Sequence, residues 1–364
     1  MRPLDGLTVI AVEQAVAAPF CTARLADAGA RVIKIERPGG DFARGYDATA
    51  RGQSSYFVWL NRGKDSRVLD LGAQAGRDAL AGMIAEADVL VQNLRPGAMA
   101  RMGLDPAELR ARHPKLVTCC ISGYAPDGAR AARKAYDLLI QAESGLAAIT
   151  GGPAEPARVG ISIVDIATGA SAHAAILEAL IGRGVTGEGV GIRLSMFDVI
   201  ADWMAVPLLQ AEGGKPPARV GLSHPSIAPY GAFAARDGRV ILLSIQSERE
   251  WRGFCAGVLG DAALAADPRF ESNVARVANR AETDAHVARA VAALDGAAVM
   301  RALDAADIAH AEVNDLAGLS RHPELRRATV QTPCGAVELP APAAVFSDGA
   351  RALGPVPGID GGEA

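Results

Sequence analysis

The sequence predicts an α/β protein built on a parallel, helix-covered sheet. Two observations carry that expectation. A strand, a short helix and a second strand follow one another between Leu7 and Glu36, the signature of a βαβ unit. The same alternation of short apolar runs and helical patterns recurs as far as Ser122.

Taken in order, Leu7-Thr-Val-Ile-Ala-Val12 is apolar enough for a buried strand. The spacing predicts a helix from Pro19 to Gly29, with proline in the first turn, where no N–H is needed, and glycine as its stop. Arg31–Glu36 reads as the second strand, closed by Arg37-Pro-Gly-Gly40. Ala75–Glu86 reads as a helix, Val89–Val91 as a strand, Pro106–Arg112 as a short helix and Leu116–Ser122 as a buried strand. A polar loop, Gly123–Lys134, leads into a helical stretch from Asp137 to Ser144, where Leu138, Leu139, Ala142 and Leu146 can share a stripe. Thr150-Gly-Gly-Pro153 is a turn, Thr168–Arg183 a long alanine-rich helix, and Arg193–Gln210 is expected to be helical.

The composition changes at Gly213-Gly-Lys-Pro-Pro217, which reads as a linker. Beyond it, Tyr230–Phe233 and Val240–Ile245 flank Arg236-Asp-Gly-Arg239 and predict a β-hairpin with an Asp-Gly turn. Helices follow, Glu250–Leu259 and Ala281–Leu294 being the clearest, and the tail from Pro333 mixes short strands with prolines and glycines.

With 364 residues, half of them hydrophobic and 21% charged, the chain can bury one large core or two ordinary ones. A net charge of −4 argues against nucleic acid or an acidic membrane as partner, so an anionic ligand needs locally placed cations. The five cysteines form no CxxC pair and no metal spacing with the six histidines, which predicts no metal site and fits a reducing cytoplasm. Leu7–Ala18 is interrupted by Glu13 and preceded by Asp5, and is read as neither signal peptide nor membrane helix. The turn after the first strand, Glu13-Gln-Ala-Val-Ala-Ala-Pro19, has no glycine, so a dinucleotide-binding GxGxxG is absent there.

The Asp137 helix places a carboxylate in a first turn, where unpaired N–H groups and the positive dipole end stabilise it. From spacing alone this reads first as a helix cap. The alternative is a carboxylate at a cleft edge, able to attack an acyl carbon.

Several stretches together resemble the class III (family III) CoA-transferases. They are Ala18-Pro19, Val32-Ile-Lys-Ile-Glu-Arg-Pro-Gly39 with Asp41, Asn61-Arg-Gly-Lys64, Gln92-Asn-Leu-Arg-Pro-Gly97 with Met102-Gly-Leu104, and Tyr136-Asp-Leu-Leu-Ile-Gln-Ala142. Gly151-Gly152, Gly160 with Asp165 and Gly169, and His224-Pro-Ser-Ile-Ala-Pro-Tyr230 complete an ordered set that covers nearly the whole chain. The resemblance implies a doubly wound parallel, Rossmann-like large domain built from both chain ends (1–197 and 321–364), a linker over 198–223 and a smaller inserted α+β domain over 224–320. It further implies an intertwined, ring-like homodimer in the cytoplasm, with no nucleic acid or membrane partner.

The resemblance also maps a catalytic nucleophile onto Asp137. It would attack an acyl-CoA thioester to give a mixed anhydride, exchange that for an aspartyl-CoA thioester, and release the CoA to an acceptor carboxylate. Coenzyme A thioesters are then substrates, and no permanently bound cofactor is implied. CoA contacts are implied for Val16, Arg37, Lys64, Leu94, Arg95, Arg101, Met102 and Tyr136. The cations among them are expected at strand carboxyl ends, where ligands bind on a parallel sheet. Substrate contacts are implied for Gln14, Ala17, Arg44, Gly151, Gly152, His224 and Tyr230, the two glycines as oxyanion donors. Arg51 and Arg158 join Arg44 as candidates for a distal carboxylate. For Asp165 a helix cap or an orienting role is expected, and for Glu143 either positioning or plain exposure.

The seven-residue His224–Tyr230 run is most reminiscent of members acting on C4–C5 dicarboxylates such as mesaconate, itaconate or citramalate, with succinyl-CoA as a common donor. The rival within the superfamily is an acyl-CoA racemase, which has a histidine directly before the aspartate; here Tyr136 stands there. A non-catalytic acyl-CoA-binding protein would not require the carboxylate.

Overall fold

The computed structural model describes residues 2–349 and 351–359; residues 1, 350 and 360–364, at the margins of the expected large domain, lie outside them. The chain up to Ala147, Arg158–Leu209 and the chain from Arg326 onwards form one compact unit; Ala148–Ala157 and Gln210–Leu325 form another.

In chain order the elements are β1 (Thr8–Val12), α1 (Ala17–Asp27), β2 (Arg31–Glu36), α2 (Ser55–Asn61), β3 (Lys64–Val68), α3 (Gln74–Ala85), β4 (Val89–Gln92), α4 (Ala98–Arg101), α5 (Pro106–Arg112) and β5 (Val117–Ser122). Then come α6 (Asp137–Glu143), α7 (Leu146–Ile149), α8 (Ile163–Thr186), β6 (Gly191–Ser195), α9 (Met196–Trp203) and α10 (Ala205–Glu212). The six strands form one parallel sheet in the order β3-β2-β1-β4-β5-β6. Val9 pairs with Val32 on one side and Val89 on the other, so chain direction reverses its march across the sheet at β1/β4.

Two strands of this sheet were not expected. Residues 193–210, read as one helix, begin inside β6, and β3 was not anticipated. Both are edge strands whose polar residues, in Lys-Asp-Ser-Arg-Val and Gly-Ile-Arg-Leu-Ser, give no apolar run.

Helix α8 buries Val164, Ala167, Ala172 and Ile176. It crosses α1 at close range through Gly169, where an added Cβ would lie 2.4 Å from the Ala17 carbonyl oxygen and 2.9 Å from Phe20 Cβ. The chain's tail closes the same unit. β10 (Arg327–Val330) and β11 (Val337–Pro340) pair antiparallel, Val330 and Val356 pack with Phe57 and Val58, and the Gly63 N–H donates to the Pro355 carbonyl at 2.7 Å.

The other unit carries β7 (Tyr230–Ala234), β8 (Val240–Ser244) and β9 (Ala309–Glu312) as an antiparallel sheet. The expected hairpin is there, turning at Gly238 with φ +84°. Helices α11 (Glu248–Phe254), α12 (Asn273–Ala278), α13 (Arg280–Ala292), α14 (Gly296–Ala305) and α15 (Leu316–Arg321) follow the hairpin. Its core gathers Trp251, Phe254, Phe270, Ile241 and Val287.

Candidate active site

In an open parallel sheet, adjacent loops leave the carboxyl edge in opposite directions where the strand order reverses, and a crevice opens between them. Here those are the loops after β1 and β4. They are laced together, because the Gln14 N–H donates to Asn93 Oδ1 at 2.9 Å and Asn93 Nδ2 donates to the Gln14 carbonyl at 2.8 Å. Ala15 adopts φ +62°, a conformation disfavoured for alanine, directly at this point. The crevice continues into a cavity of about 530 Å³ lined by Gln14–Ala17, Asn93–Pro96, Tyr136, Asp137, Arg158 and Asp165. Phe42, Tyr46 and Tyr56 add an aromatic wall, with ring centroids 5.5–5.7 Å apart.

Asp137 is the first residue of α6, with Tyr136 as its extended cap residue. Its carboxylate does not cap its own helix. Oδ1 accepts from the backbone N–H groups of Val164 (2.8 Å) and Asp165 (3.2 Å), at the amino end of α8. Oδ2 accepts from Gln141 Nε2 at 2.6 Å, and Gln141, wholly buried, is itself fixed by the Val159 N–H donating to its Oε1 at 2.9 Å. A carboxylate offers about four lone-pair directions. Three are engaged here, in one orientation, leaving one on Oδ2 for chemistry.

Asp165 lines the same cavity. Burial, reinforced by the neighbouring Asp137 charge, pushes its carboxyl up to about 7. Burial also pushes the Tyr46 phenol up to about 12, helped by Asp41 and Asp165.

A carboxylate fixed by backbone amides in a half-buried cavity, beside cations and without a glycine-rich phosphate loop, suits acyl exchange better than hydride or phosphoryl transfer. The CoA-transferase family III profile matches residues 4–355. The chain belongs to CoA-transferase family III. It is similar to an acetyl-CoA:oxalate CoA-transferase of Acetobacter aceti, 36% identical over 93% of this chain and 87% of that protein. A succinate–glutarate CoA-transferase of Agrobacterium fabrum is 36% identical over 77% and 72% of the two chains, and a succinyl-CoA:mesaconate CoA-transferase of Haloarcula marismortui 33% over 84% and 78%. The crystal structure of a CAIB/BAIF family protein from Brucella suis superposes with a TM-score of 0.85 at 32% identity, covering 99% of this chain and 97% of that one. This chain is therefore a CoA-transferase, an enzyme whose substrates include CoA thioesters.

The structure of this CoA-transferase brings Gln14, Val16, Ala17, Leu94, Arg95, Tyr136, Asp137 and Arg158 together around the cavity. Arg37 lines an adjoining hollow of about 240 Å³ that shares Gln14, Phe42 and Leu94 with it. Arg101 lies against Gly97 on α4, and Met102 packs on the core beneath the sheet; neither lines the Asp137 cavity.

Two expected cations are corrected. Lys64 starts β3 and so lies at a strand's amino end, and its fully buried ammonium is consumed by Glu13 Oε1 (2.7 Å), the Pro19 carbonyl (3.1 Å) and Asn61 Oδ1 (3.2 Å). Arg44 grips Glu36 through Nε (2.9 Å) and Nη2 (2.7 Å) and lies 3.7 Å over the Phe57 ring. Neither is free to meet a CoA phosphate or a substrate carboxylate. Arg51 does not line the cavity either. Glu143 is exposed, one of the two expected outcomes, and is held by Tyr124, Arg130 and Arg133. Ser162, not Asp165, holds the cap position of α8, without a side-chain bond, and Asp165 lies in its first turn.

Gly151, Gly152, His224 and Tyr230 belong to the other unit. Gly151 (φ +106°) sits in a loop closed by the Ala157 N–H donating to the Thr150 carbonyl at 2.8 Å. His224 and Tyr230 stack at 5.3 Å, on a loop clamped by Arg280 Nη2 through the carbonyls of His224 (2.7 Å) and Ile227 (2.6 Å). Sequence reasoning missed Gln141, Asn93 and the α8 amides, all of which act through partners 4 to 79 residues distant.

Proposed function

We propose that this enzyme moves CoA from an acyl-CoA such as succinyl-CoA to a small C4–C5 dicarboxylate, of the mesaconate, itaconate or citramalate type, through an aspartyl-CoA thioester on Asp137. The observation that carries the reading is the Asp137 carboxylate, held by three donors at the wall of the switch-point cavity with one lone-pair direction left. A carboxylate nucleophile is chemically sufficient because every step exchanges one acyl derivative for another. The diacid acceptors in the names of the similar enzymes support the substrate class. Arg158, on the cavity wall with a long contact to the Gly160 carbonyl (3.4 Å), supplies a cation for a distal carboxylate. CoA phosphates would meet Arg37 and Arg95, with Leu94 between them.

A homodimer is part of this reading, as is a cytoplasmic setting. Trp203, Val206, Leu208 and Leu209 expose 51–67% of their surface along α9 and α10, an apolar surface of the kind that a protein partner covers. A second reading, proton exchange at the acyl α carbon, draws on Asp165, whose carboxyl near neutrality suits an acid–base role.

The test is intact-mass spectrometry after incubation with succinyl-CoA. The expected result is a CoA adduct that hydroxylamine removes and that Asp137→Ala abolishes, followed by turnover with a diacid panel. No adduct, together with deuterium uptake at the acyl α carbon, would transfer the assignment to the second reading.

A further inference from the structure

The two oxygens of Asp137 are not equivalent. Oδ1 receives two backbone N–H groups from the first turn of α8, a 24-residue helix whose positive dipole end points the same way. Oδ2 receives one side-chain amide, from Gln141. We infer that the two oxygens divide the reaction between them: Oδ2 attacks and is exchanged at each turnover, while Oδ1 stays on the aspartyl carbon and is the oxyanion of every tetrahedral intermediate formed there. This rests on the reading of Asp137 as nucleophile and assigns the oxyanion donors at that carbon to Val164 and Asp165 rather than to Gly151–Gly152.

The steps balance as follows. Oδ2 attacks the donor thioester carbonyl, and the C–S bond breaks to release CoA thiolate and leave a mixed anhydride bridged by Oδ2. The thiolate then adds to the aspartyl carbon, and the electron pair moves onto Oδ1. That oxyanion already faces two N–H donors, Val164 at 2.8 Å, inside the roughly 2.7–3.1 Å such a hole requires, and Asp165 at 3.2 Å, just beyond it. Collapse expels the donor acid, which carries Oδ2 away, and leaves the aspartyl-CoA thioester. The acceptor carboxylate next adds to the same carbon, again charging Oδ1, and expels the thiolate. Attack of that thiolate on the acceptor carbonyl forms the new acyl-CoA and returns a carboxylate to Asp137. Its second oxygen now comes from the acceptor. Flipping the aspartyl carboxylate between turnovers would break the three hydrogen bonds together, and nothing in the reaction requires it.

The prediction is isotopic. The enzyme is cycled with succinyl-CoA and succinate carrying ¹⁸O in both carboxylates, so that succinate is donor acid and acceptor alike. The Asp137 peptide is then weighed after one and after many turnovers. One ¹⁸O and no more, however many turnovers pass, is the expected result. Incorporation of two labels with continued turnover overturns the inference, because the oxygens then exchange places. Incorporation of none overturns the nucleophile reading beneath it. A second measurement uses Val164→Pro, which deletes one donor at a first-turn position where helices tolerate proline. Loss of one oxyanion donor typically slows the step about 10²–10³-fold. Thioester formation on Asp137 should slow by that factor while anhydride formation continues, so that hydrolysis of succinyl-CoA rises relative to transfer. A folded Val164→Pro enzyme with an unchanged ratio of transfer to hydrolysis would also refute the assignment.

Discussion

Glu13 follows β1 and is wholly buried, as are the two ammonium groups it faces. Its Oε1 lies 2.7 Å from Lys64 Nζ and 3.6 Å from Lys34 Nζ, and its Oε2 accepts from Thr22 Oγ1 at 2.7 Å. Burial alone would raise the Glu13 carboxyl, but the charges of Lys64 and Lys34 overcome it and hold the group below its ordinary value. Glu13→Gln keeps the shape and removes the charge. Lys34 retains Asp41 at 2.8 Å, whereas Lys64 loses its carboxylate partner. Breaking a buried pair by removing one partner costs about 3–5 kcal/mol. With about 2.1 cal/mol/K of unfolding entropy per residue over the roughly 240 residues of the first unit, that is a fall in Tm of about 6–10 °C. Calorimetry at pH 7 reads it. The penalty should shrink at pH 9.5. Burial brings Lys64 down to about 8 despite Glu13, so between about 8 and 10.5 the unfolded chain holds more protons than the folded one and stability rises with pH. The double variant Glu13→Gln with Lys64→Met should recover more than half of the loss, since no unpaired ammonium then remains. A Tm change under 2 °C, or a double variant no better than the single, would refute this account of the network.

Three further outcomes follow from the same geometry. Burial opposes ionisation of Glu36, but hydrogen bonds from Arg44, Ser66 and the Asp41 N–H bring it down to about 2; the stability this gives is complete above about 4.5 and is lost as pH falls from there towards 2, which acid titration of urea midpoints will follow and Arg44→Ala will flatten. Asp165 has the opposite sign: raised to about 7, its protonated form favours the fold most below about 4, and above 7 a second negative charge stands beside Asp137. Adduct formation with succinyl-CoA should therefore decline as pH passes 7, and Asp165→Asn should abolish that decline; a decline that persists in the variant assigns it elsewhere. Arg158→Ala should raise KM for a diacid acceptor about 10–100-fold, the worth of a charge-assisted contact, with little effect on a monocarboxylate; equal effects on both would remove Arg158 from the distal site.

The centre of the large sheet was legible because β1, β2, β4 and β5 are rich in valine, isoleucine and other apolar residues between clear turn signals, and β2 and α5 match their expected bounds to the residue. The edges were not, because a strand buried on one side alone carries lysine, aspartate and arginine in alternation with its apolar residues. Asp137 was legible from its motif, but its partners were not. A glutamine one turn along acts on it only once α6 forms, and a helix start 27 residues downstream only once α6 packs on α8. Lys64 and Arg44 were misread for the same reason. An isolated basic residue is normally solvated, and the acid that buries Lys64 lies 51 positions away.

The hydrogen bond from Gly63 to Pro355, with Val356 sealed against Phe57, has a consequence during synthesis. Ala148–Ala157 and Gln210–Leu325 are all translated before Pro355 and Val356, so the host unit is still open when the inserted one is complete. The sheet that carries Asp137 gains this supporting layer only once Pro355 and Val356 have been made. A nascent chain stalled short of Pro355 would therefore expose the Phe57–Val58 face, so residues that take no part in the chemistry shield an apolar surface during synthesis.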